Sequence, residues 1–69
     1  MTPRQLDTLQ FIIKFKQTNG FSPTVREIAR GINTKSIGHV QTLLEELQEQ
    51  GCIKCTQGKS RTIVVLKFE

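Results

Sequence analysis

The residues of this chain whose types and spacing suit chemistry stand at the front of one segment, NTKSIGHVQTLLEELQEQGC, residues 33–52. Gly38, His39, Gln41 and Thr42 are small or hydrogen-bonding and no acid falls among them, whereas Glu45, Glu46 and Glu49 crowd the second half. If Val40, Leu43, Leu44 and Leu47 form the buried stripe of a helix, an advance of about 100° per residue turns Gly38, Thr42, Glu45 and Glu49 to the opposite side, flanked by His39, Gln41 and Glu46. The chemistry open to such a face is readout rather than bond making. Amide, imidazole and hydroxyl groups match the donors and acceptors on base edges in a major groove, and Gln41 is suited to bidentate contact with adenine. A recognition helix enters the groove by its N-terminal residues, so acids are tolerable only at the end that points away from the phosphates. The helix dipole disfavours acids near a C-terminus, so local helix stability does not account for their placement. The competing reading is a solvated face whose glutamates only aid solubility.

Bond-making chemistry finds little support. At 69 residues and 7.8 kDa the chain holds one small core, without room for a catalytic cleft besides. It carries no paired-carboxylate site, no nucleotide-binding glycine loop and no nucleophile spaced to a base, so an enzyme is not expected. Cys52 and Cys55 form a CxxC, but two ligands leave a tetrahedral metal site half empty, and His39 belongs to the readout face. Two reduced structural thiols are the expectation, with no metal, cofactor or small-molecule substrate.

Charge points the same way as the readout face. The formal net charge is +4 and the pI about 9.5, a balance that favours a polyanion. Arg4, Lys14, Lys16, Arg26, Arg30 and Lys35 face only Asp7 and Glu27 in residues 1–40, whereas residues 41–69 are balanced. LQFIIKF is too short and interrupted to span a membrane, and no signal peptide is seen, so a cytoplasmic, nucleoid-associated location is expected.

Three helices and a hairpin are expected to hold this readout face. Thr2-Pro3-Arg4-Gln5 is a helix entry with a capping box, opening a helix over about 3–18 with Leu6, Leu9 and Ile13 inward and Phe11, Ile12 and Phe15 widening that face. Thr24 and Glu27 repeat the capping box for a short helix over 25–30, stopped by Gly31. Ser36 caps a third helix, 36–50, which Gly51 ends. Cys52–Thr56 alternates, residues 57–60 form a turn and Arg61–Phe68 is rich in β-branched residues, together a hairpin over about 52–67. The order predicts a mainly α (α+β) fold, a three-helix winged helix-turn-helix with a C-terminal two-stranded wing, as a single domain over 1–69. Phosphate contacts are expected from Thr24 at the start of the second helix, from Arg26 and Lys35, and from Lys59, Ser60 and Arg61 in the wing.

The TPRQ start, GFSPTVREIA from Gly20 to Ala29, LEELQEQG from Leu44 followed by Cys52-Ile53, and Ser60-Arg61 together resemble the N-terminal DNA-binding domain of the LexA repressors of bacteria and their phages. The similarity covers almost the whole chain, and the TPRQ and GFSPTVREIA segments are its specific part. It implies that the start of the third helix reads bases through Ser36, Gly38, His39, Gln41 and Thr42, the same positions as the readout face apart from the cap. These residues depart from the family's usual sets, which leaves the target sequence open. LexA repressors continue into a dimerisation and self-cleavage domain with a Ser-Lys pair and a scissile Ala-Gly bond, so a chain ending at Glu69 is expected to lack both functions.

The expected partner is therefore double-stranded DNA, bound by two copies on an inverted repeat or with a helper protein, because one module of this size has a small footprint. Val64, Leu66 and Phe68 are candidates for a dimer contact, with core packing the commoner use of such residues. A second reading is a phage-type inhibitor or antirepressor that turns the winged fold against a protein. It fits less well, since the front of the third helix offers no aromatic or large apolar anchor. The same residues would equally suit the first part of a longer repressor.

Overall fold

Thr2, Thr24 and Ser36 each lie in extended backbone just before a helix, and each side chain accepts a hydrogen bond from the amide three residues on. A cap of this kind contributes about 1 kcal/mol and sets where a helix starts. The computed structural model describes residues 1–56 and 58–67, with helices α1 (Pro3–Asn19), α2 (Val25–Gly31) and α3 (Ile37–Glu49) and strands β1 (Ile53–Lys54) and β2 (Val64–Val65). At Thr2 and Thr24 the capping box is complete, Gln5 and Glu27 each accepting from the cap amide in return. Three helices followed by an antiparallel pair form the winged helix-turn-helix that the sequence predicts.

The end of α2 differs from expectation. Gly31 is the last helical residue rather than the stop, and the chain leaves the helix through Asn33, at φ 61°. Asn33 N–H donates to Arg30 O and Thr34 N–H to Ala29 O, the paired bonds of a Schellman ending with asparagine in the left-handed position that glycine usually takes. The same ending closes α3, with Gly51 at φ 78° and Cys52 N–H donating to Leu47 O. It turns Cys52 directly under the helix.

The core lies where α3 packs on α1, α2 and β1. Leu9, Ile12, Ile28, Val40 and Leu47 are wholly buried, joined by Leu43, Leu44, Cys52, Ile53 and Ile63. Burying each such leucine or isoleucine contributes roughly 1.5–3 kcal/mol, more than any cap. The stripe of α3 is as predicted, but that of α1 is rotated. Its inward residues are Gln5, Thr8, Leu9 and Ile12, whereas Leu6 and Ile13 are only partly covered. Two polar groups are admitted because their bonds are met: Thr8 Oγ1 donates to Arg4 O, and Gln5 links α1 to the far half of α3. Gln5 Nε2 donates to Glu46 Oε1 at 2.9 Å and Gln5 Oε1 accepts from Gln50 Nε2 at 2.8 Å. Glu46 is thus partly a structural acid, while Glu45 and Glu49 are exposed.

The wing is held less by its ladder than its sequence suggests. Among the described residues Ile53 pairs with Val65 and Lys54 with Val64, and beyond them Leu66 N–H donates to Cys52 O at 2.7 Å. Cys52 and Ile53 are both buried instead of alternating, because Cys52 packs beneath the end of α3 before the strand begins. Ile63 enters the core, whereas Val64 and Leu66 are 50% and 57% exposed, so the core packing expected of them does not occur. Phe68, named with them, lies outside the described residues, as does Gln57 of the turn. Side chains close the loop in place of strand pairing. Thr62 Oγ1 accepts from Thr56 N–H at 3.1 Å and lies 3.3 Å from the carbonyls of Thr56 and Lys59, and Lys16 Nζ donates to Ile63 O from α1.

Candidate nucleic-acid interface

The first turns of α3 expose Ser36, Gly38, His39, Gln41 and Thr42 together, with no carboxylate between them. The Ser36 hydroxyl accepts from His39 N–H at 3.1 Å, so its oxygen is engaged in the cap. Thr42 Oγ1 donates to Gly38 O at 3.1 Å, which commits the hydroxyl proton and leaves a lone pair and a methyl facing outward. In that state Thr42 offers an acceptor for an exocyclic amine or an apolar contact for a thymine methyl. The side chains of His39 and Gln41 make no protein hydrogen bond among the described residues. Gly38 is notable for having no packing reason to be glycine: a Cβ there would meet only Ser36 Oγ, at 3.9 Å. What the missing side chain provides is close approach to the helix backbone from outside.

Cationic residues flank this front. Arg26, Arg30 and Lys35 surround a cleft between α2 and the turn into α3. On the other side, a groove of about 450 Å³ runs between the start of α2, α3 and the wing, bordered by Thr24, Arg26, Lys59, Ser60 and Arg61. Ile37, 37% exposed, lies where the two meet. Among the described residues the Glu27–Arg61 pair is the one salt bridge, so Arg26, Lys35 and Lys59 are paired with no carboxylate there. Thr24 is placed beside the groove; its amide donates to Glu27 Oε1 and its hydroxyl oxygen accepts from Glu27 N–H, which leaves the hydroxyl proton without a hydrogen-bond acceptor among the described residues.

Arg61 is engaged inside the molecule. Its Nη1 donates to Glu27 Oε1 at 2.9 Å and to Ser22 O at 3.1 Å, its Nη2 donates to Glu27 Oε2 at 3.1 Å, and its guanidinium lies 4.7 Å from the centre of the Phe21 ring. Phe21 in turn meets Phe15 of α1 edge to face at 5.8 Å. The hydrogen bonds from Arg61, then the backbone bond from Thr24, hold the Glu27 carboxyl below its ordinary range, so it stays ionised and the pair is close to neutral as seen from outside.

The sequence marks the two ends of this pair separately, Glu27 as a cap and Arg61 as a wing cation. Their meeting, the closing role of Thr62 and the Lys16 bond to the wing carry no local mark in the sequence. The one available signal was the opposite charge of Glu27 and Arg61, and nothing local specifies a contact across 34 residues of chain. The cysteines are free thiols, Cys52 buried and Cys55 partly so, and burial pushes the Cys55 thiol up, toward its neutral form. Among the described residues no group of three or more His, Cys, Asp or Glu is arranged to hold a metal, and no helix is long and apolar enough to cross a membrane.

Residues 1–62 match the family described as LexA DNA binding domain. The chain is 41% identical over 69 residues to LexA repressor 1 of Pseudomonas syringae pv. tomato, covering all of this chain and 34% of that protein. It is 39% identical over 69 residues to the LexA repressor of Pseudomonas aeruginosa, again all of this chain and 34% of the relative, and 36% identical over 67 residues to that of Myxococcus xanthus, 97% of this chain and 30% of the relative. The chain therefore spans about a third of the length of the curated relatives it matches.

Proposed function

The chain belongs to the LexA DNA-binding domain family, and on that premise we propose that it binds double-stranded DNA sequence-specifically as a LexA-like transcriptional repressor. The front of α3 enters the major groove and the wing lies on the backbone or in the minor groove. The observation that carries this reading is the exposed, acid-free front of α3, with a glycine at position 38 that packing does not require.

In this reading Gln41, His39 and Thr42 read base edges, Gly38 lets the helix approach closely, and Ser36 holds the first turn in shape while facing the DNA. Arg26, Lys35, Lys59 and Ser60 neutralise or bond phosphates and set the register, with Thr24 lining the groove between them. The domain acts by binding and catalyses nothing, and it works in the cytoplasm on the nucleoid. A single module buries about 600–1,000 Å² on DNA, so tight binding comes from two copies on an inverted repeat or from a helper protein.

The test is selection from a pool of random duplexes with the 69-residue protein at two salt concentrations, followed by sequencing. An enriched motif that weakens steeply with salt is expected, since phosphate neutralisation releases counterions. Salt-sensitive binding without any motif would remove the sequence-specific part of the reading. Absence of binding at low salt would remove it altogether and turn attention to a protein target.

A further inference from the structure

We propose that Arg61 is a positioning residue for DNA binding: it straps the wing to the start of α2, and so holds Lys59 and Ser60 where the phosphates beside α3 will lie. The inference rests on the DNA-binding reading above and adds to it how the wing is aimed.

Besides Ile63 in the core, the Lys16 bond to Ile63 O and the Thr62 bonds to Thr56 and Lys59, the wing has few means of being aimed. Its ladder is two residues on each strand, too short to fix a loop that extends beyond it. The strap supplies what the ladder lacks. Both hydrogens of Arg61 Nη1 are taken, by Glu27 Oε1 and Ser22 O, and Nη2 bonds Glu27 Oε2, a forked geometry that fixes direction as well as distance. Phe21 covers the face of the guanidinium. The backbone records the same demand: Arg61 has φ 57°, a left-handed conformation that a residue with a Cβ adopts only when its surroundings dictate it. A guanidinium already paired with a carboxylate offers a phosphate little net charge, whereas Lys59 and Ser60, its neighbours in the chain, are exposed.

A test follows from the sign of one substitution. Removing an acid from a DNA-binding surface ordinarily strengthens binding by simple electrostatics. Glu27→Gln keeps the reach and the acceptor of the capping box but loosens Arg61, so the strap predicts weaker binding, by about threefold or more. The second measurement is a double-mutant cycle on the selected duplex. Lys59→Ala costs about three- to tenfold in the wild-type protein, and less than about twofold when combined with Arg61→Gln, because the loop is no longer held in place. Tighter or unchanged binding by Glu27→Gln overturns the proposal, and so does a cycle in which the Lys59 and Arg61 effects simply multiply. If Arg61→Gln does not fold, the cycle is run with Glu27→Gln instead. If the wild type selects no duplex, the DNA reading fails by itself and amide spectra decide the strap. Glu27→Gln must then shift or broaden the amides of residues 58–62 while sparing those of α3, and unchanged wing amides would overturn it.

Discussion

The ring of Phe11 in α1 occupies the space from which a side chain on Gly31 would grow: a Cβ at position 31 would collide with Phe11 Cε1. Glycine is thus required in the last turn of α2 by a neighbour, not by its own backbone. Gly31→Ala is expected to destabilise the protein by roughly 1–3 kcal/mol, the usual cost of overpacking. Phe11→Leu in the same chain should recover part of the loss. Urea titration of the single and double variants checks this, and a Gly31→Ala midpoint equal to wild type would show that the ring yields freely.

Gly38 should behave in the opposite way. It is exposed within α3 and an added methyl meets nothing closer than 3.9 Å, so Gly38→Ala is expected to raise stability by up to about 1 kcal/mol through helix propensity. On selected DNA the same methyl stands between helix and groove and should weaken binding by about tenfold or more. Thermal melts paired with titrations would separate the two effects, and unchanged affinity would leave the glycine without a functional account.

Acid should weaken the attachment of the wing. The folded-state pKa of Glu27 lies below its ordinary value of 4.5, through the Arg61 hydrogen bonds first and the Thr24 backbone bond second. A carboxyl shifted in that direction contributes stability that is fully present above 4.5 and lost as the pH falls through the folded value. The gap between wild type and Glu27→Gln in urea midpoint should therefore be widest near neutral pH and close below 4.5. Because both groups are partly exposed, added salt should narrow it too. A gap that ignores pH would mean that the charge of Glu27 is immaterial.

For readout, Gln41→Ala is expected to cost about 1–3 kcal/mol on the preferred duplex and to relax the preference at one base pair only. Lys35→Ala should instead weaken all duplexes alike and reduce the salt slope by about one. Repeating the selection with each variant distinguishes them. A Gln41→Ala protein that enriches the wild-type motif undiminished would remove this residue from the reading set.

What could be read in the sequence was what is local. Thr2, Thr24 and Ser36 declare their helices because a cap bonds an amide three residues away. Val40, Leu43, Leu44 and Leu47 declare the buried side of α3 because an apolar stripe has one place to go. The stripe of α1 was harder. Leu6, Phe11, Ile13 and Phe15 are also apolar, and the choice was made by Gln5 and Thr8, whose inward positions depend on partners in α3 and on Arg4. Gly31 read as a stop because its neighbour Phe11 is twenty residues upstream and invisible to any local rule. The wing misled for a similar reason: β-branched residues announce strands, but Thr62, Lys16 and Arg61 decide where they lie.

The acids that gather toward the end of α3 run against the helix's own dipole, and its first turn carries no acid to offset them. At 13 residues the segment is also near the shortest length at which a lone helix persists in water. Its shape is borrowed from α1, α2 and β1, through Leu43, Leu47 and the Gln5–Glu46 bond. The proposed reading face is therefore not a transplantable part. Cut out as a peptide it would lose its order, and grafted onto another helix it would bring the side chains without the scaffold that makes its unfavourable charge pattern affordable.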